Sequence, residues 1–396
     1  MSADPGGKPR RPWMPTVAVI AVVVVAAALV LIILPLLPGP VGPGSSDPPS
    51  PTAIEQSPAA SPSAPIQREG WASIQVAEPN NYAYIVGIEN GKGVVLAFGQ
   101  ADVNHAGVWR SVDGQTWEAG SVPELPKEFG GGLNDITVTE DGYLGLVALG
   151  QPQGSEQITS ALYTSPDGLV WTAASAPVEG NWVGSAVAAV GSRIVVAGGS
   201  GAFGEVSDEN SGVFVSDDGG KSWQRTTDTA ALGGQITDLV ADDSRLVAVG
   251  YAGTLETAQP LLWVSSDRGS TWERTTLGEE GSPSHVVVGP GGAIVVLGAM
   301  GEDAFAWLLD GDTWSSQRVA SCCLVGATTT PTGYVVVGFQ VGFPSAPYVA
   351  WSTDGRDWKL GEDPGLGDLT GVGWTEELGL LATTHTSVVL APAPYP

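Results

Sequence analysis

Histidine is nearly missing from this chain of 396 residues: His105, His285 and His385 are the whole supply, and none sits at metal-ligand spacing from another. Basic residues are scarce as well, with 16 Lys and Arg against 42 Asp and Glu and a formal net charge of −26. Such a surface repels phosphate backbones and anionic headgroups, which excludes nucleic acid as a partner and leaves cations and basic partners open. Cysteine is confined to the adjacent pair Cys322 and Cys323, so no long-range intrachain disulfide exists. The pair reads as two small buried hydrophobes on an inner strand, with a vicinal disulfide as the alternative. Long amphipathic helical patterns are absent after residue 65. No G-x-S-x-G or phosphate-loop motif occurs, and GGGLND (130–135) is a glycine-rich turn ahead of a strand, with no helix N-terminus to cradle phosphate.

Glycine (55 copies), proline (30) and tryptophan (14) are plentiful. Turns and large apolar side chains without helical periods point to an all-β domain, and one closed β domain can run past about 250 residues. Ahead of it, residues 16–37 carry no charge over 22 positions, enough for a helix to span about 30 Å of hydrocarbon. Lys8, Arg10 and Arg11 precede this segment, and Asp47 and Glu55 follow. The positive-inside pattern makes residues 1–15 a cytoplasmic tail, 16–37 a single transmembrane helix, and everything beyond it extracytoplasmic. Residues 38–65 are a Pro/Ser-rich linker with nothing to bury, and 66–396 form the folded domain. The expected location is therefore the cell membrane, single-pass, with the domain at the cell surface.

That domain repeats. Six segments align: VWRSVDGQTW (108–117), LYTSPDGLVW (162–171), VFVSDDGGKSW (213–223), LWVSSDRGSTW (262–272), AWLLDGDTW (306–314) and AWSTDGRDW (350–358). Their tryptophans recur at 54, 52, 49, 42 and 44 residues, the length of one four-stranded propeller blade. Before each box lie two β-branched apolar runs, such as ITDLVADDSRLVAVG (236–250), which read as inner strands A and B. The box then joins strand C to strand D. The inner pair occurs seven times, and the last has no box and no strand D. GWASIQVA (70–77) resembles an orphan strand D, with Trp71 in the tryptophan position. The expectation is a seven-bladed β-propeller whose N-terminal strand completes the C-terminal blade, with six blades as the runner-up.

The boxes resemble the Asp-box, or BNR, repeat S-x-D-x-G-x-[ST]-W. Copies three and four match fully, and the other four are one residue shorter, with Leu308 in the serine position of the fifth. The resemblance implies structural roles for Asp113, Trp117, Asp167, Trp171, Asp218, Trp223, Asp267, Trp272, Asp310, Trp314, Asp354 and Trp358. The aspartate would bond the turn backbone, and the tryptophan would pack between outer strands, with calcium at single boxes as the alternative. The aromatic that precedes the box shifts by one residue at Trp307 and Trp351, so these two are expected to pack differently or project outward.

Sialidases carry such boxes, and their chemistry needs three converging arginines and a tyrosine nucleophile with a carboxylate partner. No such arginine set is found, and Arg193 and Arg245 occupy equivalent A–B turns, a repeat feature. No catalytic residue, cofactor or metal is assigned, although His105, His385 and Asp102 could share one neighbourhood. The B–C and D–A loops, on the face opposite the boxes, differ most among repeats. Their candidate contacts are Glu205, Asp208, Glu209, Tyr251, Glu256, Phe343, Tyr348 and Trp182. The expected function is a non-catalytic binding or scaffold module for a protein, peptide or glycan partner. The alternative is a glycan-active, sialidase-like hydrolase. Carboxylates and an arginine converging in the central channel would favour the enzyme.

Overall fold

The computed structural model describes residues 70–392, apart from 79–81, 126–129, 151–157, 178–181, 200–211, 227–231, 243–244, 254–256, 311, 341–345 and 362–364. Residues 1–69 lie outside it, and with them the expected tail, transmembrane segment and linker. No helix among the described residues is long and apolar enough to cross a membrane.

The domain is a seven-bladed β-propeller made of seven four-stranded antiparallel sheets. A short strand, β1 (Ala72–Gln75), comes first. Blade 1 is β2 (Tyr84–Gly91), β3 (Val94–Asp102), β4 (His105–Ser111) and β5 (Glu118–Ala119). Blade 2 is β6 (Gly130–Thr139), β7 (Gly142–Gly150), β8 (Ile158–Ser165) and β9 (Thr172–Ala174). Blade 3 is β10 (Val183–Val190), β11 (Arg193–Gly199), β12 (Gly212–Ser216) and β13 (Gln224–Arg225). Blade 4 is β14 (Gln235–Ala241), β15 (Leu246–Ala252), β16 (Gln259–Ser265) and β17 (Glu273–Thr276). Blade 5 is β18 (Ser282–Val288), β19 (Ile294–Met300), β20 (Asp303–Asp310) and β21 (Thr313–Ser321). Blade 6 is β22 (Leu324–Thr330), β23 (Gly333–Gln340), β24 (Ala346–Ser352) and β25 (Lys359–Leu360). Blade 7 is β26 (Leu369–Thr375), β27 (Gly379–Thr384) and β28 (Ser387–Leu390), and β1 is its fourth strand.

The closing ladder runs from Ala72↔Leu390 to Gln75↔Ser387. Its core is continuous with blade 1: Ile85, Ala97 and Trp109 bury against Leu381, Val388 and Leu390, with Ala72 and Ile74 packed alongside. Every other core cluster likewise joins neighbouring blades, as when Val195 and Val213 of blade 3 meet Leu246 and Trp263 of blade 4. The second strand of each blade is buried on both faces, which explains its unbroken apolar run.

The C–D hairpins repeat one hydrogen-bond pattern. In blade 4, Ser265 Oγ accepts the Gly269 N–H at 2.8 Å and donates to Asp267 Oδ1 at 2.9 Å, while Thr271 N–H donates to the same carboxylate oxygen at 2.8 Å. Blades 1, 2, 3 and 6 repeat the serine bond to the glycine N–H. The longer boxes hold two consecutive left-handed residues, Gly219–Gly220 and Arg268–Gly269, where the shorter ones hold one. In blade 5 the pair Val295↔Leu308 matches Val247↔Val264 of blade 4, so Leu309 rather than Leu308 takes the serine's register, and the β20–β21 ladder continues to Asp310↔Thr313. Ser265 is fully buried, so Ser265→Ala strands the Gly269 N–H. The expected cost is about 1–3 kcal/mol, read as a lower urea midpoint with unchanged slope.

Several local expectations change. GGGLND is part of strand β6 rather than a turn. Its glycines serve close approach: a Cβ on Gly132 would sit 2.7 Å from the Gly99 carbonyl of blade 1. Cys322 and Cys323 are both buried, as expected of small hydrophobes, but they are joined as a vicinal disulfide. Trp307 is wholly buried on the blade 4 side, while Trp351 packs partly buried toward blade 7 beside Trp71.

Candidate functional site

The first strand of every blade carries a β-bulge at the same place. The residues just past it are Gly87, Asp135, Ala186, Asp238, His285, Gly326 and Gly371. A bulge re-aims the next side chain. Four of the seven positions hold glycine or alanine, and three hold groups that reach the next blade. Asp135 accepts the Val187 N–H at 2.8 Å, and Asp238 accepts the Val286 N–H at 2.7 Å. His285 hydrogen-bonds the Val325 backbone, and its Nδ1 lies 2.9 Å from Ser284 Oγ. Glu89 lies two residues past the blade 1 bulge, on the same face of its strand.

These inner strands surround a central channel. Toward the A–B turns it widens into a cavity of about 710 Å³. Glu89 and Asn90 line one side of it, Asp238 to Asp242 another, and Val286 to Gly289, Thr328, Thr329 and Gly373 complete the wall. Glu89, Asp135, Asp238 and His285 each keep some accessible surface, yet protein encloses them deeply. Burial pushes the Glu89 carboxyl well above the usual range, and the Asp135 charge adds to this. Burial lifts Asp135 to about 8 against the pull of the Val187 N–H, and Asp238 to about 6. Burial also drives His285 down to about 4, so this imidazole is neutral near pH 7.

The cavity wall holds no arginine and no aromatic side chain among its described residues. No group of three or more His, Cys, Asp or Glu side chains is arranged to hold a metal among the described residues. His105 instead pairs with Asp102 at 2.8 Å, and the His385 ring packs tilted against Tyr84 with centroids 4.6 Å apart. Arg193 bonds Asp217 and reaches Ser270 of blade 4, while Arg245 bonds Asp242 and the Gly292 carbonyl of blade 5. Both arginines stitch neighbouring blades.

Of the loop residues singled out as contacts, Glu205, Asp208, Glu209, Glu256 and Phe343 lie outside the described residues. Tyr251 and Tyr348 lie within strands β15 and β24 and are buried. Tyr348 covers Gly338, and Trp182 covers Gly198 and meets Phe214 edge-on at 5.9 Å. The channel acids were missed because each looked like an isolated polar interruption of an apolar run. In an alignment of the seven inner strands, Asp135, Asp238 and His285 fall in a single column.

No protein-family model matches the chain, and no curated protein matches its sequence. Solved structures do match in fold. One is YCF48 bound to a D1 peptide, at TM-score 0.56 and 14% identity, over 84% of this chain and 99% of that one. Another is the GH74 xyloglucanase of Xanthomonas campestris, at TM-score 0.54 and 17% identity, over 80% of this chain and 52% of that one. A third is the WD40 repeats of RRP9, at TM-score 0.51 and 12% identity, over 84% of this chain and 99% of that one. The chain thus spans about half of the xyloglucanase and nearly all of the other two.

Proposed function

We propose that this chain is a non-catalytic Asp-box propeller that binds or scaffolds a protein or peptide partner. Residues 16–37 anchor it in the membrane, and residues 38–65 hold the ring away from the bilayer on the extracytoplasmic side. The observation that carries the binding reading is the chemistry of the channel wall. Among the described residues it offers carboxylates from opposite blades but no arginine for an anionic sugar and no aromatic platform for a neutral one. The peptide-bound YCF48 structure supports this reading by analogy of fold alone. The glycan-active alternative draws on the xyloglucanase likeness, which is also one of fold alone.

The test is capture. The domain beyond residue 65, displayed on beads, is expected to retain a reproducible set of proteins from solubilised membranes, identified by mass spectrometry. If the B–C loop of blade 3 forms part of the contact face, neutralising Glu205, Asp208 and Glu209 together lowers retention about tenfold. Robust turnover of sialyl or xyloglucan substrates by the purified chain would overturn the non-catalytic reading.

A further inference from the structure

The cavity in the channel contains one carboxyl that the fold leaves unused. Asp238 gives its two oxygens to the Leu239 and Val286 N–H groups. Asp242 is neutralised by Arg245 at 2.7 Å. Glu89 is different: it faces the cavity, protein encloses it, and among the described residues its carboxyl has neither a hydrogen bond nor an ion pair. The strands packed on β2 are β3, β6, β26 and β27. They bring two charged residues, Asp135 facing Glu89 and Asp102 at the far end of β3, and no cation. A desolvated carboxyl without a counter-charge either keeps its proton or waits for a cation.

The geometry points to this cavity as a binding site for one guanidinium or ammonium group of a peptide partner, held between Glu89 of blade 1 and Asp238 of blade 4. The inference rests on the reading of the chain as a peptide- or protein-binding propeller. Three features favour an organic cation over a metal ion. The carboxyls stand on blades three places apart around the ring and do not form a metal-holding group. The Thr328 and Thr329 side of the wall adds neutral hydroxyls, which suit the fan of N–H donors on a guanidinium. A volume of about 710 Å³ exceeds the needs of a dehydrated ion and accepts a side chain with its flanking backbone. A strongly acidic chain also steers basic segments toward itself, and salt weakens that approach.

The experiment uses the full chain in detergent and three probes. These are the blocked pentapeptide Gly-Gly-Arg-Gly-Gly, the same peptide with citrulline for arginine, and acetyl-arginine amide. The arginine peptide should bind at least tenfold more tightly than its citrulline isostere. Calorimetry in buffers of different ionisation enthalpy should show a proton released on binding, because Glu89 holds one when the site is empty. Glu89→Gln should weaken the arginine peptide about 10- to 100-fold, the loss of a charge-assisted hydrogen bond. Glu302→Gln, on the exposed surface, should leave binding unchanged. Glutamine mimics the protonated acid and removes the cost of keeping that proton, so the variant should melt no lower than the parent, and such a melt shows that lost binding is not lost folding. Tighter binding of the pentapeptide than of acetyl-arginine amide supports a peptide source, and the reverse order overturns it. Binding that ignores Glu89→Gln or the citrulline exchange overturns the site but leaves the peptide-binding reading intact. Binding of none of the probes, at any salt concentration, overturns both.

Discussion

A chain lacking residues 70–77 melts roughly 10 °C below the parent and aggregates as it does so. The deletion removes the outer strand of blade 7, and with it the ladder from Ala72↔Leu390 to Gln75↔Ser387. It also removes the bonds that the Val76 and Ala77 N–H groups donate to the Thr386 carbonyl. Val388, Val389 and Leu390 are wholly buried in the intact ring. Without β1, strand β28 becomes an apolar edge open to another chain. Loss of the apolar contacts of Trp71, Ala72 and Ile74 costs about 5 kcal/mol, which at this size is roughly 10 °C. Calorimetry with light scattering measures both effects. An unchanged melting temperature without scattering would show that the ring does not depend on this closure. A synthetic peptide of residues 70–77 added in trans should recover part of the loss.

Asp135→Asn should raise stability at pH 8 and change little at pH 4. The sign follows from proton linkage. Burial lifts the folded-state value of Asp135 to about 8, while the unfolded side chain titrates near 3.9. Between those values the folded state holds a proton that the unfolded state has lost, so stability falls as pH rises through the window. Glu89 and Asp238 act in the same direction, with Asp238 completing its loss near 6. His285 is depressed to about 4 and acts oppositely, losing stability below about 6.5 as the unfolded imidazole charges. The parent should therefore melt higher at pH 5 than at pH 8. Asparagine keeps an acceptor for the Val187 N–H and removes the titration. After allowance for the water that reaches the channel wall, the gain at pH 8 is about 1–2 kcal/mol, or roughly 2–4 °C. Melts of parent and variant from pH 4 to 9 test this. Parallel curves would mean that Asp135 ionises freely in the fold.

The blade count and the ring closure were legible because they are written as periodicity. A box of serine, aspartate, glycine and tryptophan returns every 42 to 54 residues, and the seventh inner pair lacks one. Such a pattern fixes hairpins locally, through bonds within five residues such as those of Ser216 and Asp218. The channel was not legible in the same way. Asp135 and Asp238 gain their meaning only when the ring brings blades 2 and 4 around one axis. Tyr251 and Tyr348, expected on loops, lie within strands for a related reason. A tyrosine near a strand end reads as loop decoration, but both pair inward, opposite Gln235 and Gly338. The one-residue shift read at Trp307 and Trp351 is present at Trp351 alone, because Trp307 stands opposite Val296 in the register that Trp263 takes opposite Ala248. Trp307 stays on the side facing the preceding blade, as Trp263 does, and Trp351 turns to the next.

The partnership of β1 with β28 also sets an order in time. Ala72 and Leu390 are partners more than 300 residues apart. At a synthesis rate of roughly 5–20 residues per second, β1 emerges some 15–60 s before its mate exists. Through that interval six blades can assemble in sequence from local hairpins, while Ile74 and its neighbours wait without a sheet to join. The strand made first is thus the last to be paired, and a nascent chain cut short anywhere before β28 is left with an unclosed arc.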